Sequence, residues 1–241
     1  MRHRGGRSLG IMAFVLAGVA IPVAALEYTG SALHYHFTLP EGWVQIPTDV
    51  LKQTMQAVTK DMRERRPEYT AGFQAAAEKF FTYPYMLVQE FPAENMALSD
   101  IAAQMDNLQK KSLQTLTTDE ALKDIGMGQS VIDTRRNMVL VNMRLEVKDI
   151  GPLKALTVSC PGRKGVAQLH FYARENDYAT YAPLFDQILD TFAFEKGYEY
   201  RKPLIAERAW FAAGVIVGAV VIPALFIAAK RKRKAGGGGQ R

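Results

Sequence analysis

One cysteine in 241 residues, Cys160, leaves no intrachain disulfide to form and no set of thiolates to hold zinc. A disulfide-stapled secreted scaffold is excluded, so the chain must be held by an ordinary core. The five asparagines, Asn95, Asn107, Asn137, Asn142 and Asn176, all lack a Ser or Thr two residues on. N-glycosylation acceptors are therefore absent, which fits bacterial export better than a eukaryotic route. The hydrolase patterns G-x-S-x-G, H-E-x-x-H and S-x-x-K are missing, as is the nucleotide-loop pattern G-x-G-x-x-G. The one glycine-rich tract, 236–239, lies in the last residues and reads as flexible linker. No catalytic, cofactor-binding or metal-binding residue is assigned, and the expectation is a protein without enzymatic activity.

The formal charge of +6 invites a nucleic-acid reading, but its distribution opposes one. Residues 1–25 hold three basic groups and no acid, and residues 207–241 hold seven basic groups and one acid. The stretch between keeps 20 basic and 23 acidic residues, a net of −3. Basic charge that flanks apolar runs sets membrane orientation, so no nucleic-acid partner is expected.

Arg2, Arg4 and Arg7 precede 17 uncharged residues that end in Val23, Ala24 and Ala25. A basic start, an apolar centre and small residues at positions −3 and −1 define a secretory signal over 1–25, with cleavage after Ala25. An uncleaved anchor helix is the alternative, because 17 residues reach the lower bound of a span. From Ala209 to Ala229 there are 21 residues without a charge. As a helix they extend roughly 31 Å, against a hydrocarbon core of about 30 Å. Trp210 and Phe211 stand at the start of the run, and Lys230 to Lys234 follow it as a stop-transfer cluster. The organisation expected is a signal (1–25), an extracytoplasmic domain (26–197), a tether (198–208), one transmembrane helix (209–229) and a basic cytoplasmic tail (230–241). Such a chain sits in the plasma (inner) membrane with its body on the periplasmic side. Gly214 and Gly218 form a G-x-x-x-G within the span, a spacing that can pack two helices into a weak homodimer.

Within the body, Leu33, Tyr35, Phe37 and Leu39 alternate as one face of a strand, and Pro40, Glu41 and Gly42 turn it toward a short strand at 43–46. Thr48 or Asp49 caps a helix with the stripe Leu51, Met55, Val58 and Met62, which ends in the mixed charges of 60–66, a solvated helix end. Tyr69, Phe73, Ala76, Ala77 and Phe80 suggest a further helix. A strand is expected at 86–91, after the Tyr83-Pro84-Tyr85 break. Ser99 caps a helix with Ile101, Met105 and Leu108. Thr117 and Glu120 form a capping box for a short helix closed by Gly126. Val139 to Val147 alternate as a strand with one buried and one wet face. Leu156, Val158 and Cys160, a turn at 161–165, and Leu169, Phe171 and Ala173 form a hairpin. Asp177 caps a helix through Tyr181, Leu184, Phe185, Ile188 and Leu189, and Phe192 to Phe194 are a last short strand. The order strands, helices, strands, helix implies an α+β class, with an antiparallel β-sheet and helices packed on it.

The segment Phe37-Thr38-Leu39-Pro40-Glu41-Gly42-Trp43 with Ile46-Pro47, and the ending in which a hairpin is followed by a helix and Thr191-Phe192-Ala193-Phe194, resemble the PsbP/Mog1-like families over about 28–196. That resemblance implies an α/β/α sandwich and a role in binding or assembly with a protein partner. This chain departs from those families in its C-terminal span and in lacking a lipobox cysteine.

Few side chains suggest chemistry. His34 and His36, two apart on a strand, project to one face and could begin a metal site with His170, on the wet face of its own strand. No carboxylate partner is indicated, and surface histidines are the expectation. Cys160 stands beside Arg163 and Lys164, which could activate a thiol, although a packing cysteine is expected. The alternative functions are a small-ligand sensor domain signalling through the span and an enzyme whose site carries no recognised motif.

Overall fold

Strand β2 (Tyr35–Leu39) forms where Tyr35, Phe37 and Leu39 alternate with His36 and Thr38, the first set buried and the second half-buried. It pairs antiparallel with β1 (Leu26–Gly30) on one side and with β11 (Ala193–Phe194) on the other. These three strands are a small sheet in the order β1-β2-β11.

The computed structural model describes residues 25–58, 67–93, 96–116, 122–147 and 150–203. The expected signal, the 60–66 charge run, the Thr117–Glu120 capping box, the 209–229 span with Gly214 and Gly218, and the basic tail lie outside the described residues. Among the described residues no helix is long and apolar enough to cross a membrane.

The main sheet is wholly antiparallel. Its order is β3 (Trp43–Gln45), β4 (Ala71–Ala75), β5 (Tyr85–Phe91), β10 (Val166–Arg174), β9 (Gly151–Pro161), β8 (Met138–Val147) and β6 (Leu122–Met127), with β7 (Val131–Asp133) also paired to β8. The turn 162–165 joins β9 to β10, with the Gly162 N–H donating to the Gly165 carbonyl at 2.7 Å. Gly165 is required there, because a Cβ would run into the Phe91 carbonyl.

Each face of this sheet has its own cover. On one face α1 (Thr48–Val58) and α2 (Leu98–Leu116) place Leu51, Met55, Ile101 and Met105 over Leu87, Val139, Val141 and Tyr172. On the other, the small sheet and α3 (Tyr178–Thr191) press Tyr35, Phe37, Phe185 and Ile188 onto Phe73, Met86, Leu169 and Phe171. Each such side chain contributes about 1.5–3 kcal/mol by leaving water. The result is a three-layer body with an antiparallel sheet at its centre, as expected, although strands as well as a helix form the second outer layer.

Four local expectations are corrected. Residues 71–75 are strand β4, not helix. Phe73 is buried under the small sheet, while Gly72 faces Leu87, Ile46 and Leu51 on the other side. A central strand buried on both faces leaves no polar positions, so its aromatic spacing imitated a helix. Gly126 lies within strand β6 rather than ending a helix. Asp177 precedes α3, but its side chain makes no capping bond, because a 3-10 turn at Glu175–Asp177 leads into the helix. The alternate residues of β9 and β10, Thr157, Ser159, Gln168 and His170, are buried rather than wet.

Candidate functional site

The three histidines do not gather. His34 precedes β2 at a positive φ of 59°, so it does not share a strand face with His36. Its ring stacks on Tyr198 at 3.8 Å, with Nδ1 3.1 Å from the Glu195 carboxylate and Nε2 3.5 Å from the Lys164 ammonium. His36 stays on β2, opposite Thr29 and Ala193. His170 is buried on the other side of the main sheet, 1 % exposed. Among the described residues no group of three His, Cys, Asp or Glu side chains could hold a metal. Cys160 is also buried, and desolvation pushes its thiol up, away from the activated range.

His170 belongs to a polar seam that the sequence does not announce. The pairing registers of β5, β10 and β9 set Gln168 between Gln89 and Ser159, and His170 beside Thr157. His170 Nδ1 lies 3.0 Å from Thr157 Oγ1, and Nε2 lies 3.2 Å from Gln89 Oε1. The Gln89 oxygen can only accept, so Nε2 carries the proton and Nδ1 accepts from the Thr157 hydroxyl. Gln168 Nε2 donates to Ser159 Oγ at 2.9 Å, and that hydroxyl meets Met105 Sδ at 3.6 Å. Gln168 Oε1 is buried without a partner among the described residues. Tyr69 closes the seam with an edge contact to His170 at 5.9 Å. Burial pushes the imidazole down to about 3, so it is neutral at physiological pH. Fully buried, these side chains hydrogen-bond across β5, β10 and β9 and so tie the three strands in one register.

A recess of about 370 Å³ opens on the outer surface of β6, β8 and β9, lined by Asn142, Arg144, Lys154 and Tyr178 among others. Its charges are already engaged. Arg144 Nε donates to both Glu175 oxygens at 2.9 and 3.1 Å, and Lys154 stands 4.0 Å away. The hydrogen bond from Arg144 holds the Glu175 carboxyl below the usual range.

The opposite kind of surface lies at the edge of the main sheet. Strands β6 and β7 both pair on the outer side of β8, and among the described residues no strand covers them. Val131 is 58 % exposed and Ile132 40 %. The turn after β7 is tied down firmly. Asp133 Oδ1 accepts from the N–H groups of Arg135 and Arg136 at 2.9 and 3.0 Å. Arg136 then reaches α3, donating from Nε and Nη2 to Asp190 at 2.8 and 2.6 Å and from Nη1 to Asp186 at 3.4 Å. Two apolar side chains thus stand on an edge that no other described strand pairs, beside a turn held to α3. The sequence reading passed over this segment, although the pair Val131-Ile132 beside Asp133-Thr134-Arg135-Arg136 carried the signal.

The chain matches no family model and no curated protein. Among solved structures it is similar to the solution structure of cyanobacterial PsbP (CyanoP) from Synechocystis sp. PCC 6803, at 15% identity and a TM-score of 0.48, over 76% of this chain and 98% of that one. It is also similar to LpqN, involved in cell envelope biogenesis of Mycobacterium tuberculosis, at 12% identity and a TM-score of 0.34, over 73% of this chain and 86% of that one.

Proposed function

We propose that the chain is a membrane-tethered extracytoplasmic binding or assembly domain of PsbP-like architecture, without enzymatic activity, whose β6–β7 edge receives an extended segment of a partner protein. The carrying observation is that edge: among the described residues no strand pairs with its outer side, and two exposed apolar side chains, Val131 and Ile132, stand on β7, whose following turn is clamped to α3. Edge strands offer a row of backbone donors and acceptors to a further strand, and exposed side chains on them supply the pockets and knobs of specificity. The signal, the uncharged run at 209–229 and the basic cluster after it support the topology in which the body faces outward. The small-ligand sensor is less well supported, because the recess near Arg144 is open and its charges are satisfied internally.

The test is purification of the full-length chain from native membranes in mild detergent, with companions identified by mass spectrometry, beside the double variant Val131→Lys and Ile132→Lys. The expected result is a stoichiometric companion that the variant loses while its thermal unfolding is unchanged. Equal recovery of the same companion by both proteins would refute the edge, and a chain recovered alone would refute the assembly role.

A further inference from the structure

Where the chain leaves the body, the last described segment is fastened by its own contacts. The Arg163 N–H donates to the Tyr198 carbonyl at 2.9 Å, and the Glu195 N–H donates to the His34 carbonyl at 2.8 Å. Tyr198 stacks on the His34 ring at 3.8 Å, and the Lys164 ammonium stands 4.8 Å from its centroid and 3.5 Å from His34 Nε2. Pro203, the final described residue, is buried. The exit point is therefore a fixed position on the body, not a free end.

That position is basic in a body that is acidic overall. Arg163, Lys164, Lys196, Arg201 and Lys202 are all exposed around it. The two carboxylates nearby are already engaged, Glu195 by His34 and Glu199 by the Gly197 N–H at 2.7 Å. Tyr200, half-exposed in the same segment, adds an amphipathic ring of the kind that settles at headgroup level.

Chain length brings this surface to the bilayer. Five residues, 204–208, lie between Pro203 and Ala209, where the uncharged run begins, so six steps along the chain span the gap. Fully extended they reach no more than about 20 Å. We propose that the basic collar around Tyr198, made by Arg163, Lys164, Lys196, Arg201 and Lys202, docks the body onto the anionic headgroup surface of the membrane that its own chain crosses. The proposal rests on the reading of 209–229 as a span. Cations held near an anionic surface are attracted within a Debye length of about 8–10 Å. Docking there sets the tilt of the body, and with it the direction in which the β6–β7 edge faces.

The experiment uses the full-length chain reconstituted into vesicles of phosphatidylcholine, with or without phosphatidylglycerol. Lysines are labelled with an amine-reactive reagent and quantified by mass spectrometry, while alkaline carbonate extraction is run on the same vesicles. The expected result is that Lys164, Lys196 and Lys202 react about fivefold more slowly in the anionic vesicles. Lys52 and Lys79, exposed on α1 and on the loop after β4, should keep one rate in both. High salt should abolish the difference. The charge reversals Arg201→Glu and Lys202→Glu, which leave the Tyr198 contacts intact, should restore labelling of Lys164. Equal rates in both vesicles, with the chain resistant to carbonate, would overturn the docking and leave the anchor standing. Release by carbonate would overturn the anchor and the docking with it.

Discussion

Lowering the pH should destabilise the body through one side chain. Burial holds the His170 pKa down to about 3 in the folded state, and it returns to 6.5 when the chain unfolds. The unfolded chain therefore takes up a proton that the folded chain refuses, and stability falls with pH from about 6.5 down to about 3. Each unit of pH in that window is worth about 1.4 kcal/mol, so a move from pH 7.5 to 5 costs about 2 kcal/mol. Above about pH 5 the Glu175 and Asp190 carboxylates do not contribute to the loss. They are held down by their arginine hydrogen bonds, so the stability they add is present above their ordinary values of 4.5 and 3.8 and lost only below them. The assay is urea unfolding of residues 26–203, followed by the fluorescence of Trp43, the one tryptophan in that segment. His170→Gln, whose amide can still donate to Gln89, should be nearly flat across the same range. His170→Asn serves if the glutamine variant does not fold. Equal losses in wild type and variant would refute the reasoning, as would an imidazole titrating near 6.5 by NMR.

Other expectations follow from particular contacts. Gly165→Ala should lose about 2–3 kcal/mol, because its Cβ meets the Phe91 backbone. Gly42→Ala, at φ +78° in open space, should lose only about 1 kcal/mol of backbone strain; chemical denaturation compares the two. Arg136→Ala should lower Tm by about 3 °C by freeing the turn after β7 from α3, whereas Arg144→Ala at the exposed Glu175 pair should leave it unchanged. Cys160 should resist a thiol reagent until denaturant is added and then react once per chain; rapid reaction of the folded protein would contradict its burial.

Much of the architecture was legible because it rests on local pattern. The alternation of Tyr35, Phe37 and Leu39, the long alternation in β8, the hairpin turn at 162–165 and the stripe Phe185, Ile188 and Leu189 all became the elements expected. What failed depended on a second layer. In β10 the polar residues Gln168 and His170 alternate with Leu169 and Phe171 just as a half-wet strand would. They are dry because α2 and Tyr69 lie over them, a contact no local window contains. The same blindness turned β4 into a helix. His34 was misread for a different reason: one residue at positive φ lifts it out of the strand and aims it at the chain's exit. The candidate edge escaped because exposure of Val131 and Ile132 is a property of the sheet's order, not of their neighbours in sequence.

The small sheet joins the beginning of the body to its end. β1 starts at Leu26 and β11 closes at Phe194, and both flank the same strand β2. A chain delivered N-terminus first can pair β1 with β2 early, but β11 arrives only after the main sheet has been threaded out. His36 and Tyr35 then wait for Ala193 and Phe194, and the aromatic contacts of Tyr35 and Phe37 with Phe192 wait as well. Closure of the small sheet therefore needs the whole body: a chain that stops before Phe192 lacks the third strand and leaves Tyr35 without its contacts to Phe192 and Phe194.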